Sequence, residues 1–222
     1  MSFDIKICGL RSEETLAAAL EAGADLVGLV FFPRSPRHLS LEDGARLARL
    51  ARGRVPVVAL TVDADDLLLD GIAETVRPDL LQLHGRETPS RVAEIRARFG
   101  GPVVKALGVA DAADLEAAHA YSGAVDRFLL DAKPPKGATR PGGNGLAFDW
   151  RLLAGLDLGR PVMLSGGLTV INVAEAVRIA RPQGVDASSG VESAPGIKDP
   201  ARIAAFIAAA REAAAALEEN AA

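Results

Sequence analysis

Cysteine is almost missing from this chain: Cys8 stands alone among 222 residues, which excludes an internal disulfide. No run approaches the roughly 20 apolar residues that a membrane span requires. The stretch from Met1 to Gly9 lacks a basic start followed by an apolar segment, so no secretory leader is expected. Together these features point to a reducing, cytoplasmic setting. Aromatic residues are few, with seven Phe, one Tyr and one Trp, which leaves little material for stacking nucleic-acid bases. A net charge of −4 with dispersed basic residues gives no reason to expect nucleic acid or an anionic membrane as partner. Histidine is equally sparse. His38, His84 and His119 show no H-x-D or H-x-x-x-H spacing, so no metal site is expected.

What is present is a regular alternation. Short runs rich in Val, Ile and Leu recur eight times, near 4–8, 26–31, 57–61, 80–84, 103–106, 127–131, 161–165 and 184–187. Helix signals lie between them: Ser40 with Asp43, Thr88 followed by Pro89, Asp111, and Asp199-Pro200 before the long Ala-rich last segment. Strands apolar on both faces belong in a parallel sheet covered by helices. An open doubly wound sheet would announce a G-x-G-x-x-G turn after the first strand, whereas here that turn reads Cys8-Gly9-Leu10. The expected fold is therefore α/β, a (β/α)8 TIM barrel with residues 1–222 as one domain.

Two strand spacings are long, and both excesses fall just after a strand, in 32–39 and 132–147. Loops at that end form the active face of a barrel. The second, dense in Gly, Pro and Lys, reads either as a lid or as a floppy surface insertion.

Side chains alternate along a strand, so parity selects those facing the barrel axis. It turns Lys6 and Cys8 inward from the first strand, Gln82 and His84 from the fourth, Lys105 from the fifth, Asp131 from the sixth and Asp186 from the eighth. Each also has a plainer reading. Cys8 would serve as a small buried hydrophobe, Asp131 as a loop cap, and the lysines as buried stems paired to carboxylates. Convergence on one mouth favours chemistry. His38 and His119 look uninvolved, and neither Ser165 nor Ser189 has a triad-like histidine.

Phosphate binding is the strongest physical signal. Ser165-Gly166-Gly167-Leu168 ends the seventh strand and Asp186-Ala187-Ser188-Ser189-Gly190-Val191-Glu192 ends the eighth. Loops in these two places often hold phosphate in barrels. Ser189 and Glu192 have capping-box spacing, so Gly190 is expected to open a short extra helix facing the anion.

Several segments carry a resemblance. Lys6-Ile7-Cys8-Gly9, Ser35-Pro36-Arg37, Leu81-Gln82-Leu83-His84-Gly85, Leu130-Asp131, Phe148-Asp149-Trp150 and the two glycine-serine loops stand in one order from residue 6 to about 200. This ordered set resembles the N-(5′-phosphoribosyl)anthranilate isomerases. The resemblance implies a cofactor-free Amadori rearrangement in tryptophan biosynthesis, with Asp131 as acid and Cys8 as base. It also implies Arg37 on the anthranilate carboxylate, Asp186 on the amino group or sugar, and His84 lining the pocket. Gly166, Gly167, Ser189 and Gly190 would hold the phosphate. The third strand departs from the family's frequent Phe-Val-Asn, reading Leu60-Thr61-Val62-Asp63.

Rival phosphosugar barrels fit less well. An indole-glycerol-phosphate synthase wants a lysine acid with inward glutamates, an epimerase wants metal-binding His and Asp pairs, and histidine-pathway isomerases place Asp where Cys8 stands. A barrel that only binds phosphometabolites need not keep both Cys8 and Asp131. No exposed apolar stripe stands out, so a monomer is expected, with a homodimer as the alternative.

Overall fold

A computed structural model describes residues 3–133, 142–143, 145 and 147–219. Eight parallel strands close into a barrel in chain order. They are β1 (Asp4–Cys8), β2 (Leu26–Phe31), β3 (Val57–Thr61), β4 (Leu80–Leu83), β5 (Val103–Val109), β6 (Arg127–Ala132), β7 (Val162–Leu164) and β8 (Gly184–Ala187). Helices α1 (Glu13–Glu21), α2 (Leu41–Ala51), α3 (Asp66–Gly71), α4 (Pro89–Phe99), α5 (Ala112–Ala118), α6 (Val173–Ala180) and α7 (Pro200–Glu219) form the outer layer. Between β6 and β7 the described residues contain only a 3-10 turn, Trp150–Leu153. A short hairpin, β9 (Glu192–Ala194) with β10 (Ile197–Lys198), follows β8.

The expected caps form. Ser40 accepts from the Asp43 amide and Thr88 from the Arg91 amide, with Pro89 opening α4. Asp111 caps α5 by accepting from Ala113 and Asp114, and Asp199 accepts from Ala201 and Arg202 at the start of α7. Each satisfies amides that a helix start leaves without an intrahelical partner.

Alternation divides the barrel's apolar material. Leu26, Val58, Val104, Ala106, Leu129 and Met163 fill the interior, with Cys8, Val30 and Leu60 packed above them toward the mouth. The alternate residues, such as Ile5, Ile7, Leu81, Leu83 and Leu130, pack against the helices in a separate, larger core. The parity reading holds for Lys6, which reaches Gln82 and Asp186 inside the barrel. Lys105 is a correction. Val104 and Ala106 belong to the interior cluster, so Lys105 between them faces the helix layer. Its Nζ donates to the Glu87 carboxylate at 2.9 Å and to the Gly85 carbonyl at 2.9 Å, in a buried ion pair outside the barrel. Val103-Val104-Lys105-Ala106 is apolar on both faces, so periodicity carried no sign of which side was which.

The strand entrances carry a fourfold device. The residue just before each even-numbered strand accepts from an amide of the preceding odd strand: Asp25 from Ile5, Asp79 from Val57, Asp126 from Val103, and Gln183 from Val162. Each side chain occupies an amide near the barrel rim that would otherwise rely on solvent.

Candidate active site

A cleft opens at the carboxyl ends of the strands. Cys8, Arg37, His84, Asp131, Asp186 and Ser189 all line it, as do Gly166 and Gly167. Gly190 does not. A Cβ on Gly190 would overlap the Leu168 carbonyl oxygen, so this glycine permits the loop after β8 to lie against the loop after β7. His38 and His119 lie outside the cleft lining. Among the described residues no group of three or more His, Cys, Asp or Glu side chains is placed to share a metal ion.

Cys8 ends β1 and is buried. Burial pushes its thiol up, the Lys6 ammonium pulls the other way, and the Asp186 carboxylate adds to the rise. Burial wins, so the thiol is the stable form. Lys6, two residues earlier on the same face of β1, is also enclosed. Its Nζ donates to Gln82 Oε1 at 2.7 Å and to Asp186 Oδ1 at 2.8 Å. Burial works against its charge, yet Asp186 and then Cys8 outweigh that and raise the lysine, which stays an ammonium.

Asp131, at the end of β6, lies three strands from β1 around the ring. Its Oδ1 accepts from the Ala132 amide at 2.8 Å and its Oδ2 lies 3.3 Å from His84 Nε2. Gly142 passes directly above, where a Cβ would overlap Asp131 Oδ2. The remainder of the expected lid, 134–141, 144 and 146, lies outside the described residues. Asp186 Oδ2 accepts from Ser165 Oγ at 3.1 Å, so both oxygens of that carboxylate are engaged.

Arg37 follows β2 and is buried, with its Nε and Nη2 donating to the two Glu192 oxygens at 2.7 and 2.9 Å. This fork leaves Nη1 beside Gly143 at the cleft. Glu192 also accepts from Lys198 Nζ at 2.8 Å and from the Gly196 amide at 3.1 Å. Burial alone would raise Glu192, but the Arg37 hydrogen bonds and the Lys198 charge lower it from 4.5 to about 2. Lys198 in turn donates to the Ser188 carbonyl at 2.8 Å and to its hydroxyl at 3.2 Å. Glu192 therefore joins the arginine after β2 to the serine loop after β8.

That arrangement corrects the capping-box expectation. Ser189–Val191 is a single 3-10 turn without a side-chain cap, because the Glu192 carboxylate is held by Arg37, 155 residues away in sequence. Gly166 at φ +89° and Gly167 at φ +63° instead line the cleft together with Ser188 and Ser189. The third-strand departure also finds its place. Leu60 and Val62 line the cleft as an apolar wall, while Asp63 turns away at φ +48° and accepts from the Arg86 amide at 2.6 Å.

Gln82 and Glu192 were present in the motifs without a role of their own. Their partners are distant in sequence, which no local pattern reveals.

Comparison with known proteins agrees with this geometry. The family model described as N-(5′-phosphoribosyl)anthranilate (PRA) isomerase matches residues 5–209. An N-(5′-phosphoribosyl)anthranilate isomerase from Rhodopseudomonas palustris (strain BisA53) is 64% identical over 211 residues, covering 95% of this chain and 97% of that protein. Among solved structures, monomers derived from the dimeric isomerase of Thermotoga maritima superpose with a TM-score of 0.82 at 36% identity, over 95% of this chain and 99% of that one. A phosphoribosylanthranilate isomerase holding reduced 1-(o-carboxyphenylamino)-1-deoxyribulose 5-phosphate gives 0.83 at 36% identity, with the same two coverages. The chain belongs to the N-(5′-phosphoribosyl)anthranilate isomerase family.

Proposed function

We propose that this chain converts N-(5′-phosphoribosyl)anthranilate into 1-(2-carboxyphenylamino)-1-deoxyribulose 5-phosphate, with Asp131 as general acid and Cys8 as general base. Asp131 gives a proton to the furanose ring oxygen, and the ring opens to a protonated Schiff base. Cys8 thiolate then takes the proton from C2′, and the electron pair moves toward the nitrogen to give an enolamine. Tautomerisation of the enolamine delivers the ketone. The substrate's own nitrogen is the electron sink, so the reaction requires no cofactor.

One observation carries this reading: Cys8 and Asp131 line the same cleft from strands three places apart, with the two glycine-serine loops between them in ring order. A substrate anchored by its phosphate on Gly166, Gly167, Ser188 and Ser189 would lie between acid and base. Gly190 contributes by letting the second loop close onto the first. Arg37 Nη1 offers donors to the anthranilate carboxylate while Glu192 fixes the guanidinium plane. Asp186 faces the amino group or the sugar, and His84 forms the wall beside Asp131. The bound ligand of the related isomerase combines a carboxyphenylamino group with a phosphate, as this layout requires.

The direct test generates phosphoribosylanthranilate in place from anthranilate and phosphoribosyl pyrophosphate and follows loss of its fluorescence. Turnover by the wild type is expected, with Arg37→Gln raising KM more than it lowers kcat. A well-folded wild type that leaves the fluorescence unchanged would return the chain to the other phosphosugar barrels. We infer a monomer, because the exposed large apolar side chains Leu50, Leu67, Val170, Ile171 and Ile197 are spread over α2, α3, the loop before α6 and β10. Light scattering after gel filtration should give the mass of one chain; twice that mass would place this chain with the dimeric Thermotoga maritima relative.

A further inference from the structure

A continuous file of polar groups crosses the floor of the cleft, and one member has no role in the reaction as described. From one side it runs Asp186 Oδ1, Lys6 Nζ, Gln82, His84 and Asp131 Oδ2, with steps of 2.8, 2.7, 3.1 and 3.3 Å. Gln82 is almost entirely enclosed, at 1% exposure, and bridges two partners with opposite demands. The Lys6 ammonium has only donors, so it must face the amide oxygen of Gln82. The amide nitrogen is then forced toward His84 Nδ1, where it can only donate. His84 Nδ1 must therefore accept, and the ring proton is left on Nε2, which points at Asp131 Oδ2.

We propose that Gln82 is a positioning residue for the isomerase reaction: held by Lys6, it fixes the Nε2–H tautomer of His84 and so orients the Asp131 carboxyl group. Asp131 Oδ1 is already taken by the Ala132 amide, and His84 fixes the other oxygen. Each oxygen of the carboxylate therefore has a fixed donor. Donation from His84 to Oδ2 belongs to the carboxylate left after the acid has given up its proton. The Nε2–H would therefore stabilise the product of the first step, the charge that develops on Asp131 as the ring opens. The other tautomer would present a lone pair to a carboxylate oxygen and repel it.

This inference rests on the isomerase reading, and its test has a readout independent of turnover. Nitrogen-15 correlation spectra through two-bond couplings identify the protonated ring nitrogen of each histidine, and His84→Asn assigns the resonance. Wild type is expected to show His84 protonated on Nε2 and unprotonated on Nδ1. In Gln82→Glu, a group of the same shape, the side chain has no donor for Nδ1. His84 should then carry a proton on Nδ1, and kcat should fall by about tenfold or more with KM changed by less than about twofold, because Gln82 does not line the cleft. Gln82→Met, which removes both hydrogen bonds without adding charge, should lower kcat similarly and leave His84 as a tautomer mixture. Nδ1–H in the wild type would overturn the proposal. So would an unchanged kcat in both variants, or an unaltered His84 signature in whichever variant folds. An inactive wild type with His84 on Nε2 would instead remove the isomerase reading and leave the tautomer assignment in place.

Discussion

Cys8 sits where burial and the Asp186 charge oppose ionisation while Lys6, and more weakly Lys198 and Arg37, favour it, and its thiol lies above the usual range. In the proposed mechanism a thiolate takes the C2′ proton, so the ionised fraction of Cys8 enters the rate. Asp131 must hold its proton in the same reaction, so the thiol is followed directly: thiolate ultraviolet absorbance, with Cys8→Ser as the blank, is expected to keep climbing with pH past the point where an exposed thiol would have levelled. A plateau already reached in mildly acidic solution would contradict this balance of burial and charge. Lys6 enters the same balance: Lys6→Met should leave Asp186 without its cation and push the thiol higher still, moving the rising limb to more alkaline pH. Glu192 shows the opposite case. Its folded value near 2 against 4.5 corresponds to about 3 kcal/mol of stability, fully present above pH 4.5 and lost as pH falls toward 2. Glu192→Gln should destabilise the fold by about 3 kcal/mol at neutral pH, because Arg37 and Lys198 would remain buried with one neutral partner between them. It should also flatten that acid-side loss. Equal melting temperatures for variant and wild type at pH 7 would show that the ion cluster contributes nothing net.

At the scale of elements, the strands were legible because each is a short apolar run between turn signals, and seven of the eight begin and end where the sequence placed them or within one residue, β5 alone running three residues further. The helix starts were legible because caps act on amides two or three residues away. What local pattern could not supply was anything closed by distant partners. Lys105 turned to the helix layer because Glu87 and Gly85 wait there, and Glu192 left its capping position for Arg37. Cys8, Arg37, His84, Asp131 and Asp186 were legible as convergent because parity and loop position put all of them at one end; Gly190's packing role was not, because it depends on the Leu168 carbonyl. The strand-entrance side chains are a further case, visible only once neighbouring strands are paired. Asp79 accepts from the buried Val57 amide at 2.7 Å. Asp79→Ala should cost about 1–3 kcal/mol by leaving that amide without its partner. Chemical denaturation would read this as a lower midpoint at unchanged slope, with catalysis at the far end of the barrel unaffected; an unchanged midpoint would assign the amide to solvent.

The whole molecule separates these tasks along the barrel axis. Carboxylates and Gln183 tie the strand entrances together, Leu26, Val58, Val104, Ala106, Leu129 and Met163 fill the middle, and the polar file from Asp186 to Asp131 floors the mouth. Arg211 on α7 donates to the Phe3 and Gly23 carbonyls at 3.0 Å each, so the last helix holds the start of the first strand. No helix among the described residues is long and apolar enough to cross a membrane. On this frame the proposed chemistry depends on two groups brought from β1 and β6 into one cleft. The most direct test is therefore kcat/KM for phosphoribosylanthranilate with Cys8→Ser and Asp131→Asn, each checked for an unaltered fold by circular dichroism. Loss of about 10²-fold or more in both variants is the expected result. Wild-type rates in either folded variant would contradict the assignment of that residue, and with it the acid–base pair on which the account stands.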